Sequence, residues 1–349
     1  MKILFVGDSW RGASDRAMRE ALVRQPDIEV DDVAPDLTVP RYNAWLLRAQ
    51  NRLVLPLQLR ELKKKVLVAA RDFQPDVIVV FKGAYFDAGF IRQLRREIAP
   101  IVNMFPDPSP HIYGKKLKLA MHEYDLVISR KKFHPALWKS LYGYDNRCVH
   151  VSYGYMPSLH VRYEPPTAFD YDVVLIATCR NEYEMMMREV IERLKARDLK
   201  FAIAGNGWLG TGLDKAGDVT FAGERSGAAY VEWLRKGKIV IAPVWTQVKA
   251  NGAAQPGDEM TERTLECAAA YTFFIHRRTD EAKSLYDEAT EVPMFDTAAE
   301  LADKIAFYLD HEEARRAMAA AAHARAVPAY SIDARAREIV TQLKSVIRS

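Results

Sequence analysis

The sequence predicts an α/β protein of two Rossmann-like domains whose parallel sheets face each other across a cleft. Three observations predict it. Short, unbroken apolar runs rich in Val and Ile alternate with amphipathic helical stretches, the pattern of strands buried on both faces of a parallel sheet. That grammar occurs twice along 349 residues, a length at which each of two domains can bury its own core. Between the two occurrences lies Tyr163-Glu164-Pro165-Pro166-Thr167, a proline pair that continues neither helix nor strand and is expected to act as the hinge. The expected domains are residues 1–164 and 165–330, with a helix over 331–349 returning to the first domain.

The elements follow in order. Residues 3–6 are a buried strand ending at Gly7, then come a polar loop and a helix over 15–24. Gln74-Pro75-Asp76 introduces the β-branched strand Val77-Ile78-Val79-Val80. A helix over 90–97 leads to the strand Ile101-Val102-Asn103-Met104, and residues 126–128 and 149–151 complete the first sheet. The second half reads as strand 172–177, helix 184–195, and strands 201–205, 219–221 and 239–241. A polar loop over 249–257 follows, then a helix from Thr261 and a strand over 272–275. Residues 298–347 are nearly all helix, broken at Pro328.

Composition narrows the class. Fifty basic and 46 acidic residues leave a net charge of +4, too mild for a nucleic-acid partner. Cys148, Cys179 and Cys267 are scattered and odd in number, which argues against a disulfide framework and for a reducing, cytoplasmic setting. The first eight residues do not read as a signal peptide, and no run approaches the length of a membrane span. The eight histidines show no metal-ligand spacing.

Ligands of open parallel sheets bind beyond the carboxyl ends of the strands, so the candidate residues are those in such loops. The helix opening at Thr261 carries Arg263 and Thr264 in its first turn and Glu266 one turn on. A helix start offers free N–H groups and a positive dipole end to an anion, Arg263 adds a forked cation, and Glu266 can accept both hydroxyls of a ribose. Asp258 lies eight positions before Glu266, a spacing that can place one carboxylate at a transferred sugar and the other at a nucleoside. An ordinary capped helix with a surface arginine explains the same residues equally well. Arg180, after the strand over 172–177, can neutralise a diphosphate or pair with Glu182 or Glu184 on the surface. Arg225 sits in a loop able to meet a base or merely to connect two elements, and Gly205 closes its strand in a tight turn beside the cleft. In the first half, Asp107 and His111 are placed to polarise an acceptor hydroxyl. Lys82 can meet an anionic acceptor or sit in solvent. Residues 45–65, leucine-rich and basic, can touch a membrane surface or a lipid-linked acceptor. Two amphipathic helices packed on the sheet account for them more simply.

The run Arg263-Thr264-Leu265-Glu266-Cys267-Ala268-Ala269 resembles the signature of spore-maturation (CgeB-like) glycosyltransferases, relatives of enzymes with an E-x7-E motif. The likeness continues through Thr272-Phe273-Phe274-Ile275, the acidic turn Tyr286-Asp287-Glu288, Val292-Pro293-Met294-Phe295 and Tyr330-Ser331-Ile332-Asp333. It departs at Ala270-Tyr271, where the family has glycine, and at Asp258, which stands for the first glutamate. The resemblance implies a GT-B fold and a hexosyltransferase-like enzyme with its donor on the second domain. It also implies a nucleoside-diphosphate sugar, UDP-sugar favoured, no cofactor or essential metal, and retention of configuration. The acceptor is open: glycan, glycolipid, protein or small molecule. Two rivals stay open as well, a nucleotide-sugar epimerase or hydrolase of this architecture and a non-catalytic nucleotide-sugar- or carbohydrate-binding protein.

Overall fold

Each β-branched run becomes a strand sealed on both faces. The computed structural model describes residues 1–10, 13–40, 45–109, 113, 115–143, 147–250 and 253–347. The chain falls into two units: Met1–Ser152, Val248–Pro256 and Ile332–Ser349 form unit 1, and Tyr153–Gln247 with Gly257–Ser331 form unit 2.

Unit 1 runs β1 (Lys2–Val6), α1 (Ser14–Val23), β2 (Glu29–Val33), α2 (Trp45–Phe73), β3 (Val77–Phe81), α3 (Ala88–Glu97), β4 (Ile101–Phe105), α4 (Lys115–Met121), β5 (Leu126–Ser129), α5 (His134–Tyr142) and β6 (Cys148–His150). Its sheet has the order β2-β1-β3-β4-β5-β6, and every pairing is parallel. The chain leaves β1 toward β2 and returns across it to β3, so the strand order reverses between β1 and β3.

Unit 2 runs α6 (Pro157–His160), β7 (Tyr171–Ile176), α7 (Asn181–Leu194), β8 (Phe201–Ala204), β9 (Val219–Ala222), α8 (Gly227–Arg235) and β10 (Gly237–Ala242). A hairpin of β11 (Gln247–Ala250) and β12 (Ala253–Pro256) comes next, most of it in unit 1. Unit 2 then continues with α9 (Glu262–Ala269), β13 (Phe274–Arg277), α10 (Asp280–Leu285), β14 (Met294–Phe295), α11 (Ala298–Asp310) and α12 (Glu312–Ala326). Its parallel sheet has the order β14-β13-β10-β7-β8-β9 and reverses between β7 and β10. Alternate residues of β7 serve opposite layers. Val173 and Leu175 join one buried cluster with α7 and α11, while Val174 and Ile176 join another with α8 and α9. The last helix, α13 (Ile332–Ile347), packs on α1 in unit 1, where Arg24 pairs with Asp333 at 2.8 Å.

The structure departs from the sequence reading in four places. Unit 2 begins at Tyr153, ahead of the proline pair, because Tyr153 and Tyr155 are buried with Met260, Leu265 and Ala269. Residues 162–164 are tied down in the same unit. The Arg162 N–H donates to the Ala269 carbonyl, and Arg235 donates to the carbonyl of Glu164. Strand β2 is an additional edge strand whose exposed, acidic face hides its period. The 249–257 stretch holds a hairpin rather than a loop. Finally, α2 is one helix that runs through Pro56 rather than two. The proline leaves the Arg52 carbonyl without its helical partner, and both residues are exposed, so water can fill the place.

At Ala270-Tyr271 the chain still makes the turn that glycine ordinarily makes. The Thr272 N–H bonds the Cys267 carbonyl and the Tyr271 N–H the Ala268 carbonyl, the two closures of a Schellman motif. Tyr271 takes the left-handed position at φ 58°, and its ring stacks on His323 with centroids 4.4 Å apart. Tyr271→Ala loses the stack and keeps the unfavourable backbone, whereas Tyr271→Gly loses the stack and relieves it. The glycine variant is therefore expected to be more stable than the alanine variant by about 1 kcal/mol. Denaturant unfolding of the two measures this, and an alanine variant as stable as glycine would contradict it.

Candidate active site

The strand order reverses between β7 and β10, and in such sheets ligands bind beyond the carboxyl ends of the strands at the reversal. The chain after β7 reaches Arg180, and the chain after β10 reaches Trp245. The Arg180 guanidinium lies over the Trp245 ring, 3.7 Å from its centroid. Neither glutamate proposed as a surface partner holds it. Glu184 pairs with Arg188 at 2.9 Å, and Glu182 accepts from the Thr246 hydroxyl. Tyr183, on the first turn of α7, is buried and faces Arg263, Arg180 and Asp258; burial pushes its hydroxyl up to about 12.

Thr261 caps α9, and its N–H donates to the Thr264 hydroxyl oxygen at 3.1 Å. Arg263 is half-buried and donates from Nη1 to the Pro243 carbonyl at 3.2 Å. Its Nε–H is buried with no hydrogen-bond partner among the described residues. An orphaned buried donor is costly and uncommon, so this one asks for an acceptor from outside the protein.

Glu266 lies three residues on, its side chain 14% exposed. The Tyr230 hydroxyl donates to it, and His160 Nε2 stands 3.3 Å from Oε1. The Met156 N–H donates to His160 Nδ1 at 3.0 Å, so the imidazole proton sits on Nε2, directed at the carboxylate. Burial holds His160 down to about 4 and therefore neutral. Burial also raises Glu266 to about 6, against the hydrogen bond from Tyr230 and the attraction of Arg263. Tyr230 and His160 carried no signal in the sequence, since neither lies in the segment that bears the motif.

The remaining predicted residues fall into three groups. Asp258 is half-buried and its N–H donates to the Trp245 carbonyl, which places it beside Arg180 and Tyr183. Arg225 donates to the Glu224 carbonyl and lies over the Trp233 ring at 4.9 Å. Gly205, at φ +134°, approaches β7 so closely that a Cβ would stand 2.1 Å from the Ala177 carbonyl oxygen. Thr264 corrects the sequence reading. It is fully buried, accepting from Thr261 and donating to His276 Nε2 at 2.8 Å, so it supports the site without reaching a ligand. The acidic turn at 286–288 is likewise structural. Asp287 accepts the N–H groups of Ala289 and Thr290, and Glu288 pairs with Arg278 at 2.6 Å.

In unit 1, Lys82 follows β3 in the left-handed region at φ 63°. Its Nζ lies 3.2 Å from Asp107 Oδ2, and the Tyr113 hydroxyl donates to the same oxygen at 2.6 Å. His111 lies outside the described residues. Among the described residues no group of three or more His, Cys, Asp or Glu side chains is placed to hold a metal ion.

Residues 180–341 match the family described as glycosyl transferase-like. No curated protein matches the chain in sequence. Among solved structures the chain is similar to a sucrose-phosphate synthase from Thermosynechococcus elongatus, with TM-score 0.68 and 12% identity over 100% of this chain and 99% of that one. It is similar to Anabaena HepE in complex with UDP-glucose, with TM-score 0.65 and 16% identity over 99% of this chain and 100% of that one. A glycosyltransferase from Rickettsia africae gives TM-score 0.66 and 12% identity over 100% and 99%. The fold is thus of GT-B type, two Rossmann-like domains with a six-stranded parallel sheet in each.

Thr264→Val leaves His276 Nε2 and the Thr261 N–H without their partner. It should cost about 1–3 kcal/mol of stability while the folded protein keeps its affinity for nucleotide. Thermal unfolding and calorimetric titration of one preparation separate the two effects. Full stability with lost nucleotide binding would return Thr264 to the ligand.

Proposed function

We propose that this chain is a glycosyltransferase that takes a sugar from a nucleoside-diphosphate sugar, a UDP-sugar by preference, held on unit 2. One observation carries the reading: Arg263 presents a buried N–H without an acceptor, three residues from a carboxylate steadied by Tyr230 and His160. A diphosphate oxygen supplies the acceptor that Arg263 lacks, and a ribose diol supplies donors to Glu266. Arg180, beside Arg263 through Tyr183, is the second cation for the charge that grows on the departing diphosphate. These two guanidinium groups do the work that a metal does elsewhere, and retention of configuration is the expected course. Asp258 faces the sugar, and Arg225 the base. The match over residues 180–341 covers Arg180, Arg225, Tyr230, Asp258, Arg263 and Glu266, and HepE, of the same fold, is known with UDP-glucose. Asp107 and His111 are assigned to the acceptor, on unit 1. The three cysteines are free, in keeping with a cytoplasmic enzyme.

Glu266→Ala removes charge-assisted contacts worth about 1.5–3 kcal/mol, roughly a ten- to hundredfold loss of affinity. UDP and UDP-glucose should lose alike, because the ribose is common to both. Arg263→Ala should weaken both ligands and lower turnover further, since the charge it meets is largest in the transition state. Calorimetry on the folded variants reads the affinities, and release of UDP that depends on an added acceptor reads the transfer. Wild-type affinity in both variants would remove the basis of this proposal.

The raised Glu266 makes a second prediction, for pH. The carboxylate accepts both ribose hydroxyls with full charge only when ionised, so affinity is full well above pH 6 and falls as pH drops through about that value. One pH unit below it, affinity should be weaker by about tenfold. The sugar donor is the ligand to use, since its doubly esterified diphosphate does not titrate there. Glu266→Gln should bind more weakly and show a flat profile; a profile that keeps its slope in that variant would move the titration to another group.

A further inference from the structure

One face of α2 serves neither the core nor the candidate site. Helical spacing puts Leu53, Leu57, Arg60 and Lys64 on a single stripe, opposite the buried Leu62 and Val66. The sequence reading expects these leucines to pack on the sheet. Instead Leu53 is 83% and Leu57 68% exposed, with Val54 and Val68 partly exposed beside them. Single exposed leucines are ordinary, but here Leu53 and Leu57 lie one turn apart with Val54 exposed between them.

The charge on this helix is mostly of one sign. Trp45–Phe73 holds seven basic side chains and two acids, Glu61 and Asp72. Lys63 is engaged by Asp87 and Arg71 by Glu97. Among the described residues, Arg60 and Lys64 have no ion-pair partner. Beside the stripe a hollow of about 480 Å³ is lined by Leu37, Val68, Lys64 and Lys65, with Asp32 and Glu61 also on its wall. Leu37 at its edge is 76% exposed and extends the apolar surface beyond the helix. No described helix is long and apolar enough to cross a membrane, so α2 does not span one.

We infer that this face of α2 rests on the surface of an anionic lipid bilayer. Leu53 and Leu57 enter the headgroup boundary, and Arg52, Arg60 and Lys64 meet lipid phosphates. Aliphatic side chains flanked by unpaired cations are what such a surface selects. A protein partner instead selects aromatic anchors and excludes lysine from the centre of the contact. The inference is independent of the donor chemistry in unit 2.

The test is co-sedimentation of the full chain with phosphatidylcholine vesicles, with and without phosphatidylglycerol. The protein should pellet with the anionic vesicles, stay in solution with the neutral ones, and be released by salt. Leu53→Asp with Leu57→Asp should abolish pelleting. Arg60→Ala with Lys64→Ala should weaken it by roughly tenfold or more. All four side chains are outside the core, and unchanged thermal melting certifies the fold of each variant. The inference is overturned if the wild-type chain ignores anionic vesicles at low salt, or if the leucine variant binds them as well as wild type. It is equally overturned if these leucines prove to hold two copies of the chain together in sedimentation equilibrium, with no vesicle affinity.

Discussion

The hydroxyl of Thr264 lies wholly out of water, and the geometry of the candidate site depends on how it is satisfied. It accepts from the Thr261 N–H and donates to His276 Nε2, while His276 gives its one ring proton, on Nδ1, to the Arg277 carbonyl. This short relay ties the first turn of α9 to β13. Burial holds the imidazole down to about 4, so the order of protons along the relay is constant at ordinary pH. With the start of α9 fixed, Leu265, Cys267 and Ala268 can only face inward, and Arg263 and Glu266 take the positions left to them. A threonine suits the place because a hydroxyl can both accept and donate, which a carboxylate or an amide nitrogen cannot do alone.

Arg263 and Glu266 are close enough to feel each other's charge, yet among the described residues no ion pair joins them. A direct pair would satisfy both and leave nothing for a ligand. Tyr230 and His160 hold the carboxylate instead, and the Pro243 carbonyl takes only part of the guanidinium. The result is a carboxyl group raised to about 6 by burial beside a donor with no acceptor. Keeping Glu266 ionised in such surroundings costs folding stability above that pH, because its folded value exceeds the unfolded one. Unmet polar groups of this kind collect where a ligand completes them.

Much of the fold was legible in the sequence for a simple reason. Strands such as Val77-Ile78-Val79-Val80 are buried on both faces, so every residue is apolar and the run stands out. β2 was not legible, since an edge strand with one wet face reads Glu-Val-Asp-Asp-Val. The β11–β12 hairpin did have a signal, the Asn251-Gly252 dipeptide, the commonest mark of a two-residue hairpin turn. In the site, Arg263 and Glu266 could be named because they share one helix and a fixed spacing. Tyr230 on α8 and His160 on α6 come to Glu266 only through tertiary packing, and no spacing along the chain records that. Thr264 misled because the residue at the third position of a capped helix can either bind a ligand or close the cap, and burial alone separates the two.

The departure from the resembled family at Ala270-Tyr271 can now be weighed by position. Glycine is common there because the residue after a helix turns left-handed, and Tyr271 makes the same turn with its ring stacked on His323. The backbone path out of α9 is thus preserved, and the strain of a side chain at positive φ is offset by the stack and by the His323 contact to the Ala268 carbonyl. Of the groups assigned to the donor, Arg263 sits in the first turn and Glu266 in the second turn of a helix of eight residues. At about 1.5 Å per residue the strained turn lies roughly a helix length from Thr261. A change at that end bears on how α9 meets α12 and β13, which is a matter of stability. The start of α9 is held by the Thr264 relay, while at the turn itself the Glu266 carbonyl accepts the Ala270 N–H at 2.8 Å.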